Sequence, residues 1–309
     1  MLRSATLRGA TTCLAAALFC TAAEAQLFRA YLAADGNDAN PCTLQAPCRL
    51  LPAALNAVAG GGEIWMLDSA NYNTATVNVN KSVSILAVPG VVGSVVALNG
   101  GPAIEITADN LAVALRNLVL GPVAGVAAGT HGVYVTGASN VTIEGSLIAN
   151  LPQHGVYVAA AGTLTVSNTT LRSNGQYAIA LVNGVSATIA RTQMLGNAYG
   201  GISAYGVGSV TTARVDSSVV SGGEYGINAF GVLTFGGSSR VSVARSTLES
   251  AKKGIRVAPG GEVNIGSSLI VGNATAWSIE GGGSILSLGN NQTSGNGGSV
   301  GSLTPLAPQ

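Results

Sequence analysis

Charge is scarce in this sequence. Of its 309 residues only 9% are Asp, Glu, Lys or Arg, and the formal net charge is +1. No basic tract stands out, so the electrostatic footprint of nucleic-acid binding is missing. The chain has only two His, five Asp, eight Glu and three Lys. That leaves few side chains for acid–base chemistry. Aromatics are held to 5%. These absences do not make the chain disordered, because 47% of it is hydrophobic and supplies ample surface to bury.

Long apolar runs are also lacking, with one exception near the start. Arg3 and Arg8 precede the Ala-rich run Cys13 to Ala23, and Ala23-Glu24-Ala25 fits a cleavage site before Gln26. This predicts a secretory signal over residues 1–25, with an uncleaved anchor as the competing reading. The run is short for a bilayer span, and no later segment is long enough. The expected location is secreted or periplasmic. Cleavage removes Cys13 and Cys20 and leaves Cys42 and Cys48, with five residues between them. Two cysteines in an exported protein favour a disulfide-pinned loop. A metal site lacks a third or fourth ligand nearby, so none is expected.

What the chain has in abundance is a repeat. His131-Gly-Val-Tyr-Val135 returns as His154-Gly-Val-Tyr-Val158, 23 residues later. Ile179, Ile202, Ile227, Ile255 and Ile279 continue the series begun by Val133 and Val156. A second column alternates apolar, polar, apolar: Val141-Thr-Ile143, Leu164-Thr-Val166, Ala187-Thr-Ile189, Val241-Ser-Val243, Val263-Asn-Ile265 and Leu286-Ser-Leu288. That alternation is the strand period. A third column is hydroxylated: Ser146, Thr169, Thr192, Ser218, Ser246 and Ser268. No helical period survives through this region.

Three short strands in about 23 residues is the coil of a right-handed parallel β-helix. Coils then stack at ~4.8 Å, and equivalent hydroxyls and amides form ladders. The expected fold is all-β, a single-stranded right-handed parallel β-helix of nine or ten coils with a short N-terminal capping helix. The cap is expected over Leu50 to Ala59, where an amphipathic stretch ends at Gly60-Gly61-Gly62. The expected organisation is an opening segment over 26–62, the solenoid over 63–293 and a loose tail over 294–309.

The Asn-x-x-x-Gly-Ile pattern of Asn197 to Ile202, with its one-residue-longer variant Asn150 to Val156, resembles the β-helix repeat proteins of the pectate-lyase-like superfamily. Gly36 to Cys42, Pro47-Cys48 and the capping helix resemble the opening of exported bacterial members. The resemblance implies the fold. It leaves activity open among polysaccharide lyases, glycoside hydrolases, adhesins and non-catalytic members. Hydrolases of this kind carry an Asp-Asp pair with Gly-His-Gly. This chain has Thr130-His131-Gly132 but no adjacent acidic pair. Arg256-Val-Ala-Pro259 lacks the second Arg of a pectate-lyase-like signature. Arg191 and Arg245 share a column, with Asp216 one place over on the coil between. These three are weak catalytic candidates, and calcium enters only with a lyase reading.

A row of rings gives the binding hypothesis. Two positions before each first-column residue lie His131, His154, Tyr177, Gly200, Tyr225, Lys253 and Trp277, with Tyr199 beside Gly200. Tyr134 and Tyr157 form an outward pair. Such a stripe suits stacking against sugars. The competing reading is that a large side chain before Gly packs a corner of the coil. The sequence therefore points to a non-catalytic solenoid that binds a polysaccharide or cell-envelope glycan, with a lyase or hydrolase as the alternative.

Overall fold

The computed structural model describes residues 26–306. The leader expected over 1–25, with its cleavage site, lies outside them. Three parallel sheets run the length of the chain. Sheet A has 12 strands, from Leu27–Leu32 to Thr304–Pro305. Sheet B has 10, from Ala70–Asn71 to Gln292–Ser294, and sheet C has 9, from Val77–Asn78 to Thr275–Ile279. The chain visits C, A and B in turn, so each sheet grows by one strand per coil. Val133, Val156, Ile179 and Ile202 pair in register, as the repeat requires.

The interior follows from the period-two pattern. Val141, Ile143, Leu164, Val166 and Ile189 of sheet A are buried against Val133, Val156 and Ile179 of sheet C and Ile148 and Leu171 of sheet B. Each such side chain contributes roughly 1.5–3 kcal/mol through removal from water. Between sheets A and B the chain turns through one left-handed residue per coil. Asn117, Gly145, Asn168, Arg191, Ser217, Arg245 and Ser267 hold φ between 48 and 60°. Asn and Gly tolerate this region, whereas Arg is uncommon there.

The hydroxyl column sits one residue beyond that turn and is buried. Each hydroxyl donates to a carbonyl two residues back, and all but that of Thr192 accept an N–H from the coil before. Ser218 Oγ donates to Asp216 O at 2.8 Å and accepts from Thr192 N at 3.1 Å. Ser246 repeats this with Ala244 O and Ser218 N. An amide ladder lies at the next corner, where Asn174 Nδ2 donates to Asn197 Oδ1 at 2.8 Å. Backbone groups at both corners are thus satisfied without water.

At the N-terminal end, the helix Leu51–Ala57 buries Leu51, Ala54 and Leu55 over the open core. Cys42 and Cys48 form a disulfide, with Cα atoms 4.6 Å apart. Their loop runs along the first strand: Tyr31 N–H donates to Cys42 O, and Cys48 N–H donates to Tyr31 O. This covers a sheet edge that would otherwise present free backbone groups.

Several details differ from the sequence pattern. The helix ends at Ala57, and Val58–Met66 crosses the three glycines as a strand. Sheet A begins at Leu27–Leu32, ahead of the cap, so coiling starts before residue 63. Residues beyond 294 still pair, through Thr304–Pro305 on Ser284–Ser287 and a bridge from Ser278 to Val300. In the last coil the inward residues are Ile285 and Ser287, paired with Val263 and Ile265. Leu286 and Leu288 therefore face outward. A one-residue change of register moves every side chain to the other face.

Candidate functional site

The outer face of sheet C carries the ring residues, and local backbone geometry puts them there. The residue before each inward Val or Ile is Gly or Ala. A Cβ at Gly132 would meet Ile148 Cγ2 at 2.6 Å and Gly155 O at 2.7 Å. The corner has room for at most a methyl group, so the preceding ring is carried to the outside. His131 and His154 occupy this place in successive coils, with centroids 5.5 Å apart. Tyr177 follows, 6.1 Å from His154 and nearly parallel to it.

Tyr134 and Tyr157 stand in the neighbouring outward column and stack at 5.4 Å with 13° between planes. His131 touches both tyrosines, and Tyr199 meets Tyr177 edge-on at 5.9 Å. The six rings form one cluster whose faces turn toward each other. Most are half-buried or buried, while Tyr199 is 53% exposed. Stacking covers ring faces within the cluster, and the Tyr177 hydroxyl is itself buried against Asn228.

Burial decides the charge state. It lowers both imidazoles to about 4, and for His154 repulsion from His131 adds to the effect. His154 Nδ1 accepts the Tyr177 N–H at 3.2 Å, which requires that nitrogen to be unprotonated. The pair is neutral at pH 7. Burial likewise raises the Tyr177 phenol to about 12.

A polar chain continues from the rings. Asn228 Nδ2 donates to Tyr177 Oη at 2.9 Å, and Arg256 Nη1 donates to Asn228 Oδ1 at 3.0 Å. Arg256 also bonds Glu280 through Nε and Nη2. Lys253 Nζ reaches Glu280 Oε1 at 2.9 Å, and Ser278 Oγ donates to the same oxygen. Arg256 and then Lys253 hold the Glu280 carboxyl down at about 2. Both cations lie over the Tyr225 ring, at 5.9 Å for Lys253 Nζ and 5.6 Å for Arg256 Cζ. Sequence reasoning missed Asn228, Arg256 and Glu280, and also the stacked pair Tyr205 and Phe230. The signal was present. Carrying the Tyr134–Tyr157 column forward at the repeat step reaches Ala180, Ser203, Asn228, Arg256 and Ser278.

Trp277 does not belong to the ring column. It pairs with Ile255, and Thr275 takes the place next to Lys253. The repeat slips by two residues in this coil, so Trp277 packs against the end of the core and bonds Gly301 O through Nε1.

The two arginines and Asp216 lie elsewhere, at the corner between sheets A and B. Arg245 pairs with Asp216, which its guanidinium holds below the ordinary carboxyl value. Arg191 shares the turn position of Arg245 but bonds Asn168 Oδ1 through Nε at 2.9 Å, away from Asp216. The three do not converge. Glu105 and Glu280 stand at opposite ends of the sheet C face, seven coil steps apart by register, or about 34 Å. That is far beyond the ~5–10 Å of a glycosidase pair. Among the described residues, no three His, Cys, Asp or Glu side chains gather as a metal site. No helix among them is long and apolar enough to cross a membrane.

The sequence model for the right handed beta helix region matches residues 131–296. A search of curated proteins by sequence finds no match. Among solved structures, an alginate lyase from Paenibacillus sp. str. FPU-7 superposes with TM-score 0.52 at 11% identity, over 90% of this chain and 100% of that one. A GH136 lacto-N-biosidase from Eubacterium ramulus gives 0.51 at 12% identity, over 88% and 68%. The pectate lyase Pel9A gives 0.48 at 18% identity, over 92% and 78%. At these identities the likeness is one of fold.

Proposed function

The chain belongs to the right-handed β-helix family, and from that premise we propose that it is an exported, non-catalytic solenoid holding a glycan along sheet C. One observation carries this reading. A continuous row of rings and hydrogen-bonding side chains runs from Tyr134 through Tyr157, His154, Tyr177, Asn228 and Arg256 to Glu280. Tyr134 and Ser278 are six coil steps apart, or about 29 Å along the axis, room for several sugar units in a row. The groups are held at fixed spacing by the sheet, so little ordering is needed on binding.

Export to the periplasm or beyond is supported by the disulfide and by the leader pattern over 1–25. The names of the structural neighbours, an alginate lyase and a lacto-N-biosidase, point to glycans as ligands of this architecture. The test is affinity electrophoresis of the chain through a panel of uronate-rich and neutral polysaccharides. It is paired with a reducing-end assay on the same panel, with and without calcium. Retardation by one polymer, lost in Tyr157→Ala and in Arg256→Ala, with no new reducing ends, is the expected result. New reducing ends would overturn the non-catalytic reading in favour of a lyase or hydrolase. Free migration through every polymer would overturn glycan binding.

A further inference from the structure

We propose that the outer face of sheet A carries a second ligand site, for a small hydroxylated carboxylate of monosaccharide size. The site is a hollow of about 250 Å³ near the C-terminal end of the solenoid. It lies on a different face from the sheet C row and does not depend on that reading.

Register explains why a hollow exists there. Arg214, Ser242, Asn264 and Leu286 are successive outward residues of sheet A. Asp216, Ala244 and Gly266 are the next outward column. The floor is therefore made of Ser242, Ala244 and Gly266, which are small. Arg214 rises at one end. At the other end stand Leu288 and Leu306, 38% and 36% exposed. Leu288 folds over Gly266, where a Cβ would meet its Cδ1 at 2.4 Å. Arg245 flanks the hollow from the corner turn.

Each wall asks for a different part of one ligand. Arg214 is exposed and makes no ion pair among the described residues. Arg245 uses one end of its guanidinium on Asp216, which leaves further N–H donors free. Two such forks suit a carboxylate. Charge on this face, from Arg214, Arg240 and Arg245 against Asp216 and Glu262, leaves one net positive. Asn264 lines the hollow, and its Oδ1 is buried with no donor. A buried acceptor without a partner is costly, and a ligand hydroxyl supplies the donor after a small turn of the amide. The two leucines suit a hydrocarbon flank. Carboxylate, hydroxyl and C–H surface together describe a sugar acid better than a bare anion or a neutral sugar.

The experiment is isothermal titration of the purified chain with glucuronate, and in parallel with glucose and with acetate. Glucuronate is expected to saturate, and the other two to bind at least tenfold more weakly. Arg214→Ala is expected to weaken glucuronate about tenfold or more, the scale of a lost charge-assisted fork. Arg245→Asn is expected to do the same while keeping a residue that tolerates the left-handed turn. Ala244→Leu fills the floor from outside the core and is expected to abolish binding with the thermal midpoint unchanged. Equal affinity for glucose or acetate would overturn the proposal, and so would unchanged affinity in all three variants. Loss of glucuronate binding only in Tyr157→Ala or Arg256→Ala would also overturn it, by placing the sugar acid on sheet C.

Discussion

The side-chain amide of Asn228 donates to the phenolic oxygen of Tyr177 across 51 residues of sequence. Their strands are not neighbours, because the strand of Gly200 lies between them. Gly200 has no side chain, so the Tyr177 ring can lie along the axis over that coil. Removing the hydroxyl in Tyr177→Phe leaves the Asn228 donor without its acceptor at a site only 4% exposed. The expected loss is about 1–3 kcal/mol in urea unfolding. Asn228→Ala in the Tyr177→Phe background removes that orphaned donor but also the Oδ1 that accepts from Arg256, so the double variant should lose less than the sum of the two single losses. A Tyr177→Phe variant as stable as the parent would mean that the bond contributes nothing.

Gly200 itself is the second prediction. Its φ is +131°, and a Cβ there would sit 1.7 Å from Tyr225 O. Gly200→Ala therefore strains the backbone and collides with a main-chain atom of the next coil. A loss above ~4 kcal/mol is expected, large enough to leave much of the chain unfolded. Gly145→Ala is the control. It is also left-handed, at φ +60°, but no atom lies within 4 Å of the added Cβ. It should cost only ~1–2 kcal/mol. Comparable thermal midpoints for the two variants would contradict this close-approach argument.

The coil was legible because its signals repeat. Val133, Val156 and Ile179 mark one strand, Val141 and Leu164 another, and Ser146 and Thr169 a buried corner, so each coil checks the last. The errors lie where the step changes. In the last coil the step shortens to 22 residues, and Leu286-Ser-Leu288 imitates an inward triplet while Ile285 and Ser287 take those places. Trp277 was misassigned for the same reason. The ring half of the sheet C row was readable from position alone. The column positions of Asn228 and Arg256 in its polar half were readable too, but not their partnership with Glu280, which depends on side-chain reach between coils. Sequence spacing fixes which column a residue occupies, but not which neighbour it bonds.

The third prediction concerns the disulfide. Cys42–Cys48 closes a short loop whose backbone bonds cover the first strand of sheet A. Replacing both cysteines by Ser frees the unfolded loop and should cost ~2 kcal/mol for a closure of this size. The loss should concentrate at the N-terminal end. Hydrogen exchange is expected to accelerate at Tyr31, Ala33 and Cys48, whose N–H groups bond across this junction, and to stay slow at Val156 and Ile179. Uniform acceleration along the solenoid would show that the loop secures the whole stack.

The last prediction is a pH window set by His131 and His154. Both are depressed in the folded chain to about 4, chiefly by burial, from an ordinary value of 6.5. Between those values the unfolded chain binds protons that the folded chain refuses. Stability is therefore fully present above about pH 6.5 and falls as pH drops toward 4. For His131, 8% exposed, the shift corresponds to roughly 3 kcal/mol by the lower end of the window. Glu280 and Asp216 act in a separate range. Their carboxyls are depressed by Arg256 with Lys253 and by Arg245, so their contribution is lost only below about pH 4.5. Replacing His131 by Phe keeps a ring beside Tyr134 and Tyr157 and removes the titration. Urea midpoints measured at intervals from pH 7 to pH 4 should then fall less steeply than in the parent, while the decline below that range persists. An unchanged slope would mean that the imidazoles remain accessible to protons in the folded chain, and that the ring cluster opens readily to water.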